Sequence, residues 1–210
     1  MKKTTVIILI SVLAIAGCRK KTKDVSQVVT ASIPTVTLTG SQFYSIHIGE
    51  SLPNVTATAY DSVIGESYGT TIDNSTLDNT TPGLYIVKVK AKNKYGYVGS
   101  ANVYIAVTEV SDAVDLSGLY DRAGNPCNVS KVARGLYLND NIAGSTLVVP
   151  GYFAQTSDTT IDVPLQPVPD VGDLDATDET LSLAPPDTTF SYKVDNGFFG
   201  TQLRTFVKQH

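Results

Sequence analysis

Two thiols, Cys18 and Cys127, are the most reactive side chains that the sequence offers. A cysteine attacks a substrate as its thiolate, and a neighbouring base is needed to favour that form. The only histidines are His47, on a predicted strand, and His210, at the C-terminal end. We therefore predict that Cys127 is a buried or half-buried structural residue and that no residue of the chain is catalytic.

Cys18 ends a pattern of a different kind. Two lysines precede an apolar run over residues 6–16, and this run of 11 residues is typical of a signal peptide. It is too short for a membrane-spanning helix, which needs roughly 20 residues. Residues 13–18, Leu-Ala-Ile-Ala-Gly-Cys, resemble a bacterial lipobox. This resemblance implies that residues 1–17 are removed and that the Cys18 thiol accepts a diacylglyceryl group.

Residues 18–32 are predicted to be the lipidated cysteine and a linker. The stretch 19–23, Arg-Lys-Lys-Thr-Lys, either lies against anionic headgroups of the membrane or serves as a solvated tether. With Cys18 lipidated, Cys127 is the single remaining thiol and cannot form an internal disulfide. The core is therefore expected to hold by packing alone.

Aromatic side chains are the candidates for ligand binding, because their rings stack on sugars. The chain has 11 Tyr and 6 Phe but no Trp. Six aromatic residues lie at predicted turns or outward strand positions: Tyr95, Tyr97, Tyr152, Phe153, Phe198 and Phe199. The last four of these are the predicted ligand-binding residues. The pair at 198–199 follows Asn-Gly, and adjacent strand residues face opposite ways, so one of the two is expected to be exposed. The alternative is that these rings pack in the core or along a sheet edge.

Carboxylates are the other candidates for chemistry. Five of them lie within ten positions: Asp170, Asp173, Asp175, Asp178 and Glu179. Calcium prefers several converging carboxylates, but the spacing does not match a calcium loop, so a solvated acidic loop over residues 170–186 is predicted and no metal site. Glycoside hydrolysis needs two carboxylates fixed across a cleft, whereas most acids here lie in predicted loops. No phosphate-binding loop and no Gly-x-Ser-x-Gly motif is present. We predict no cofactor and no enzymatic activity.

Composition narrows the class of protein. Removing residues 1–17 leaves about 193 residues with 14 basic and 20 acidic side chains, a formal charge of −6. This charge argues against nucleic acid as a partner. Thr, Val, Tyr and Ile alternate with Gly, Pro, Asn and Asp throughout, which predicts an all-β protein.

The first predicted β unit covers residues 33–108. Its clearest part is a hairpin in which Tyr85, Val87, Val89 and Ala91 share one face and Lys88 and Lys90 the other. The return strand places alternate residues of 101–107 on a common face. Shorter strands are predicted at 35–38, 44–48 and 55–60, and this spacing suggests a sandwich.

Residues 81–91, TPGLYIVKVKA, followed by Asn93 and Gly96, resemble the last hairpin of bacterial surface immunoglobulin-like domains, and residues 49–61 fit the same pattern. The resemblance covers about 75 residues. It implies an immunoglobulin-like β-sandwich whose tyrosine packs in the core. That family supplies spacers and binding modules, so no active site is implied.

The second unit, residues 115–210, is predicted to be a small antiparallel β domain, sandwich or barrel-like. Its candidate strands are 116–121, 127–138, 146–153, 160–163, 190–194 and 201–208.

Taken whole, the lipobox, the immunoglobulin-like unit and a β-rich end opening at Asp115-Leu116-Ser117-Gly118-Leu119-Tyr120 resemble Bacteroidetes lipoproteins. Many of these accompany outer-membrane glycan-uptake systems of the Sus type. The resemblance implies a lipid-anchored outer-membrane protein, on the periplasmic or the cell-surface face. It implies a non-catalytic role in which the C-terminal domain binds a polysaccharide or an uptake-system protein. The alternative is a structural or assembly lipoprotein that makes protein–protein contacts only.

Overall fold

The computed structural model describes residues 31–210, and Ser32–His210 form one compact unit. The predictions for the signal peptide, Cys18 and most of the linker lie outside the described residues. No helix occurs among residues 31–210, and so none that is long and apolar enough to span a membrane. The all-β prediction is confirmed, with strands mostly in antiparallel pairs.

Seven strands before residue 108 form two sheets that pack face to face, which we call the N-terminal sandwich. The strands are β1 Thr35–Leu38, β2 Phe43–Ile46, β3 Ala57–Asp61, β4 Glu66–Tyr68, β5 Thr70–Asp73, β6 Gly83–Lys92 and β7 Val98–Val107. One sheet has the order β1-β3-β4 and the other β2-β7-β6-β5, in which β2 runs parallel to β7. The short β4 and β5 were not predicted; they carry mostly exposed polar residues and lack an apolar pattern.

The long β6–β7 hairpin is buried on both faces over part of its length. Val87, Val89 and Ala91 are buried between the two sheets, and Tyr85 packs against that core, which confirms the predicted face. The prediction of a half-buried strand is wrong at the start of β6. Leu84, on the opposite face, is 3% exposed because strands from the second half of the chain cover it.

Nine strands after residue 117 form a single sheet, which we call the curled sheet. They are β8 Gly118–Arg122, β9 Asn125–Ala133, β10 Leu136–Asn139, β11 Gly151–Gln155, β12 Ile161–Asp162, β13 Gln166–Val168, β14 Gly172–Ser182, β15 Thr189–Asp195 and β16 Leu203–Lys208. Their order is β12-β11-β10-β9-β8-β16-β15-β14-β13, so the two edge strands are neighbours in sequence. The Leu181 N–H of β14 donates to the Thr159 carbonyl just before β12 at 2.7 Å, so the sheet curls until its edges meet.

Aromatic rings fill the inside of the curled sheet. Phe190 and Phe206 are fully buried with ring centroids 4.8 Å apart, and Tyr120, Phe153 and Tyr192 surround Phe190 at 5.0 to 6.2 Å. Dense packing of this kind fills the space around Phe190 with side chains.

Two strand predictions for this half are corrected. The predicted strand 127–138 is two strands, because Gly135 adopts a φ of 64°, where a side chain would be strained, and turns the chain between β9 and β10. The predicted loop 170–186 contains the 11-residue strand β14. Its alternation is hidden by a bulge at Asp178, which shifts the pairing register between Thr177 and Thr180.

The sandwich and the curled sheet share a small core at their junction. Leu84, Tyr104 and Ala106 from the β6–β7 hairpin pack against Leu136 and Ala154 of the curled sheet. Polar contacts add to it: the Thr108 hydroxyl donates to the Gln155 carbonyl at 2.8 Å, and Arg134 donates to the Thr108 carbonyl at 2.6 Å. That residues 33–108 and 115–210 are two separate domains stays a prediction.

Candidate ligand-binding cleft

A cleft of about 620 Å³ lies next to the junction, between the outer face of the β6–β7 hairpin and the segment 164–167. Its volume falls within the range of about 300–1,000 Å³ that is usual for small-molecule sites. Its apolar surface comes from Leu84, Ile86, Pro164, Leu165 and Pro167. Apolar and polar side chains converge there in a concave surface.

The hairpin wall of the cleft follows from strand register. Leu84 pairs with Ala106 and Lys88 with Asn102, and all four side chains point to the outer face. The pair nearest the junction is buried, whereas Lys88 is exposed. The cleft therefore begins where the curled sheet stops covering the hairpin.

A buried amide positions the opposite wall. Gln166 is 1% exposed, its Oε1 accepts from the Tyr152 N–H at 2.7 Å, and its Nε2 donates to the Tyr152 carbonyl at 2.8 Å and to the Pro164 carbonyl at 3.3 Å. Both hydrogen-bonding ends of this side chain are used within the protein. Gln166 therefore orients the segment, and Leu165 is left 61% exposed beside the cleft.

Two charged side chains line the cleft, Lys88 on the hairpin wall and Asp173 on the other. Neither forms an ion pair with the described residues, although the neighbouring Lys90 pairs with Asp73 at 2.5 Å. One cation and one anion leave the cleft without net charge. Its lining can therefore offer hydrogen bonds to a neutral polar ligand without selecting for a strongly charged one.

A carboxylate joins the two halves next to Leu84, one of the lining residues of the cleft. The Leu84 N–H donates to Asp162 Oδ2 at 2.5 Å, and a Cβ on Gly83 would lie 3.1 Å from the same oxygen. Burial raises the pKa of Asp162, the hydrogen bond from Leu84 opposes that rise, and the charge of Asp175 adds to it. The close approach of the Asp162 carboxylate to the start of β6 needs the small Gly83 and the hydrogen bond from the Leu84 N–H.

Replacing Asp162 with asparagine tests this contact through its pH dependence. A carboxyl group whose pKa is raised on folding contributes stability that is present at low pH and is lost as the pH rises through the folded pKa. We expect the free energy of unfolding of the wild type minus that of Asp162→Asn to fall as the pH rises above the ordinary value of 3.8. Urea titrations from acid to neutral pH measure it, with the exposed Asp158→Asn as control. If this difference in the free energy of unfolding is constant or rises with pH, the pKa of Asp162 is not raised on folding.

Two of the predicted ligand-binding aromatics are packing residues in the structure. Phe153 is fully buried, with its ring 5.3 Å from that of Tyr137. Tyr152 is half-buried at the junction, and its ring lies 4.2 Å from that of Tyr104 and 5.2 Å from that of Phe43. A ring without exposed surface cannot contact a ligand, so Phe153 has no place in the candidate site.

The other two aromatics lie on the turn between β15 and β16. Asn196 Oδ1 accepts from the N–H groups of Phe198 and Phe199 at 2.8 and 3.1 Å and fixes the turn. Phe198 is 67% exposed, whereas Phe199 packs against the core and against Arg204. Asn196 Nδ2 also donates to the Asp173 carbonyl at 2.7 Å. The exposed ring therefore projects from a turn beside the strand that carries Asp173 of the cleft.

The predicted structural and acidic residues have identifiable neighbours. Cys127 is 2% exposed, and burial raises the pKa of its thiol to about 12, so it is a packing residue. Asp178 forms an ion pair with Lys193 at 2.5 Å. Burial raises the pKa of Glu179, and the charges of Asp162 and Asp175 add to it. Within residues 31–210, no group of three or more His, Cys, Asp or Glu side chains is placed to hold a metal ion.

Sequence reasoning missed the cleft itself. The alternation of β6 placed Lys88 on the outer face, but it gave no partner for that face. The second wall comes from a stretch, Pro164-Leu165-Gln166-Pro167, that was predicted neither as a strand nor as a site. The sequence shows two prolines around an apolar leucine in this stretch. Only the contact with the hairpin, which is distant in sequence, makes these residues the wall of a cleft.

Comparisons with known proteins find a likeness among solved structures only. No protein-family model matches the chain, and no curated protein matches it. Among solved structures, the crystal structure of the lipoprotein BT2262 from Bacteroides thetaiotaomicron is similar over 84% of this chain and 100% of that chain, with 18% sequence identity and a TM-score of 0.38. The proposals below rest on the residues of this chain.

Proposed function

We propose that the chain is a lipid-anchored outer-membrane lipoprotein without catalytic activity that binds a glycan in the cleft at the junction. The observation that carries the proposal is the lining of this cleft, which combines apolar with polar side chains and has no net charge. Aliphatic surfaces suit the C–H faces of sugar rings, and unpaired polar side chains suit their hydroxyl groups. The anchor is supported by residues 13–18, which match a lipobox ending at Cys18.

The reactive side chains of the described residues are engaged in structural contacts, which favours binding over catalysis. The Cys127 thiol is buried, and the Asp162 carboxylate accepts from the Leu84 backbone. His47 Nδ1 lies 2.9 Å from Glu109 Oε2 on an exposed surface away from the cleft lining. These groups stabilise turns and strands instead of facing a common substrate position.

Phe198 extends the proposed site. Its ring is 67% exposed on a turn whose Asn196 bonds to the backbone of Asp173, and an exposed aromatic ring offers a stacking surface to a sugar. The proposal therefore includes Phe198 and leaves out Phe153.

The test is a glycan-array screen followed by calorimetry on matched variants. We expect Lys88→Ala and Leu165→Asp each to weaken binding of the selected polysaccharide by about tenfold, or ~1.4 kcal/mol. Lys92→Ala lies on the same strand, and Leu119→Asp replaces a leucine of similar exposure, 52% against 61%, outside the cleft. Both controls should bind as the wild type does.

Two results of this test contradict the proposal. If the control variants weaken binding as much as the cleft variants do, the cleft is not the site. If no polysaccharide binds, the chain is not a glycan-binding protein.

A structural or assembly role is the second candidate, and the edge strand β5 favours it. β5 pairs only with β6, so its other side is unpaired within the described sheets, and Ile72 on it is 40% exposed. An unpaired edge can accept a strand from another protein. Pull-down of a partner that is lost when Ile72 is replaced by proline, together with no glycan binding, would favour this role.

A further inference from the structure

Four exposed apolar side chains cluster at one end of the N-terminal sandwich, and we call them the Tyr95 patch. They are Ile33, Val63, Tyr95 and Val98, with exposed fractions of 60, 65, 63 and 49%. Single exposed apolar residues are ordinary, but a cluster indicates an interaction surface.

Hydrogen bonds around Asp61 hold the patch together. The Asp61 carboxylate accepts from the Ser32 hydroxyl, from the Val63 N–H at 3.1 Å and from Asn93 Nδ2 at 3.1 Å. Asn93 Oδ1 in turn accepts from the Tyr95 N–H at 3.0 Å. Three separate segments are therefore fixed side by side, each carrying an exposed apolar residue.

Gly99 brings the fourth residue into place. A Cβ at this position would lie 1.8 Å from the Pro34 carbonyl oxygen and 3.4 Å from Ile33 Cγ2. Only glycine permits this approach, which sets Ile33 beside the Val98 end of β7. The patch is therefore a built feature of the fold.

The patch lies at the end of the β6–β7 hairpin opposite to the junction. The ten-residue strand β6 separates the turn that carries Tyr95 from the Asp162 contact at Leu84 by about 30 Å, at the usual rise per strand residue. The patch also contains the start of the compact unit, because Ser32 bonds to its Asp61. Ser32 follows Cys18 by 14 residues, so the connecting chain spans at most about 50 Å.

The chemistry of the patch suits the surface of a bilayer. Tyr95 has an apolar ring with a polar tip, and Lys94, whose Nζ also pairs with Glu66 Oε1 at 2.6 Å, has that Nζ 5.6 Å from the ring centre. Tyrosine and lysine are the residues that favour the boundary between headgroups and acyl chains. The stretch 19–23 adds four basic side chains close by in sequence, which anionic headgroups attract.

We propose that the Tyr95 patch lies against the bilayer surface, so that the hairpin stands away from the membrane with the junction at its far end. This proposal rests on the lipid anchor of the proposed function. Docking needs little affinity of its own, because an anchor keeps the patch near the membrane at high effective concentration.

Single tryptophans test the proposal, since the natural chain has none. The lipidated full chain, carrying Tyr95→Trp, is reconstituted into phosphatidylethanolamine–phosphatidylglycerol vesicles with brominated acyl chains. Phe198→Trp is the matched control, because that aromatic has a similar exposed fraction but lies on the curled sheet. Val98→Trp serves as a second reporter within the patch.

We expect the bromines to quench the tryptophan at positions 95 and 98, and to leave the one at position 198 unquenched. Equal quenching at all three positions, or none at 95 and 98, overturns the docking proposal. Mass spectrometry of the purified chain separates the two proposals: lipid on Cys18 without quenching overturns docking alone, whereas the absence of lipid on Cys18 overturns the anchor and docking together.

Discussion

Replacing Phe190 with alanine should lower the free energy of unfolding by about 3–5 kcal/mol, the range for removing a buried aromatic ring. Phe190 is fully buried on β15, and its ring contacts four others within 6.2 Å. Those rings come from several different strands of the curled sheet. The surrounding residues therefore cannot move inward together to refill the space. Urea denaturation followed by tyrosine fluorescence measures the change.

Phe198→Ala is the control for this prediction, because it makes the same chemical change at a residue that is 67% exposed. It should alter the free energy of unfolding by no more than about 0.5 kcal/mol. If Phe190→Ala and Phe198→Ala have similar effects, the aromatic cluster does not form the core of the curled sheet.

Replacing Tyr104 with alanine should cost about 3 kcal/mol, the second largest effect that we expect. Tyr104 is 7% exposed and lies at the junction, where its ring contacts those of Phe43 and Tyr152 at 5.7 and 4.2 Å. Its removal leaves a cavity between the sandwich and the curled sheet. Differential scanning calorimetry and urea denaturation both report this loss.

The matched control is Tyr60→Ala, at a strand position of the sandwich that is 51% exposed. We expect a change within about 0.5 kcal/mol there. A Tyr104→Ala protein as stable as the wild type would show that the two halves do not support each other at this junction.

Local alternation in the sequence was sufficient to predict the β class and the strongest hairpin. Val87, Val89 and Ala91 face the core as predicted, because a two-residue period over a long segment indicates a strand with one apolar face. The same reasoning failed for β14, where the bulge at Asp178 interrupts the period in the middle of the strand. It also failed at Gly135, where one residue in the left-handed region divides the predicted strand 127–138 into two strands.

The candidate site was harder to predict, because its residues come together only through tertiary contacts. Lys88 and Leu165 are 77 positions apart, and the contact between Leu84 and Asp162 that brings their segments together has no local signal. Aromatic residues were chosen for their type, yet Phe153 and Phe198 have opposite exposure. Residue type alone does not distinguish an aromatic that packs in a core from one that meets a ligand.

Hydrogen exchange of the wild-type chain, with and without a saturating polysaccharide from the array, tests the central claim most directly. Binding in the cleft predicts slower exchange of backbone amides in residues 84–88, 100–102 and 165–166, where the lining residues lie. Amides near residue 63, at the other end of the sandwich, should exchange at an unchanged rate. Slower exchange confined to regions outside the cleft, or no change at saturation, would contradict the claim that this cleft is the binding site.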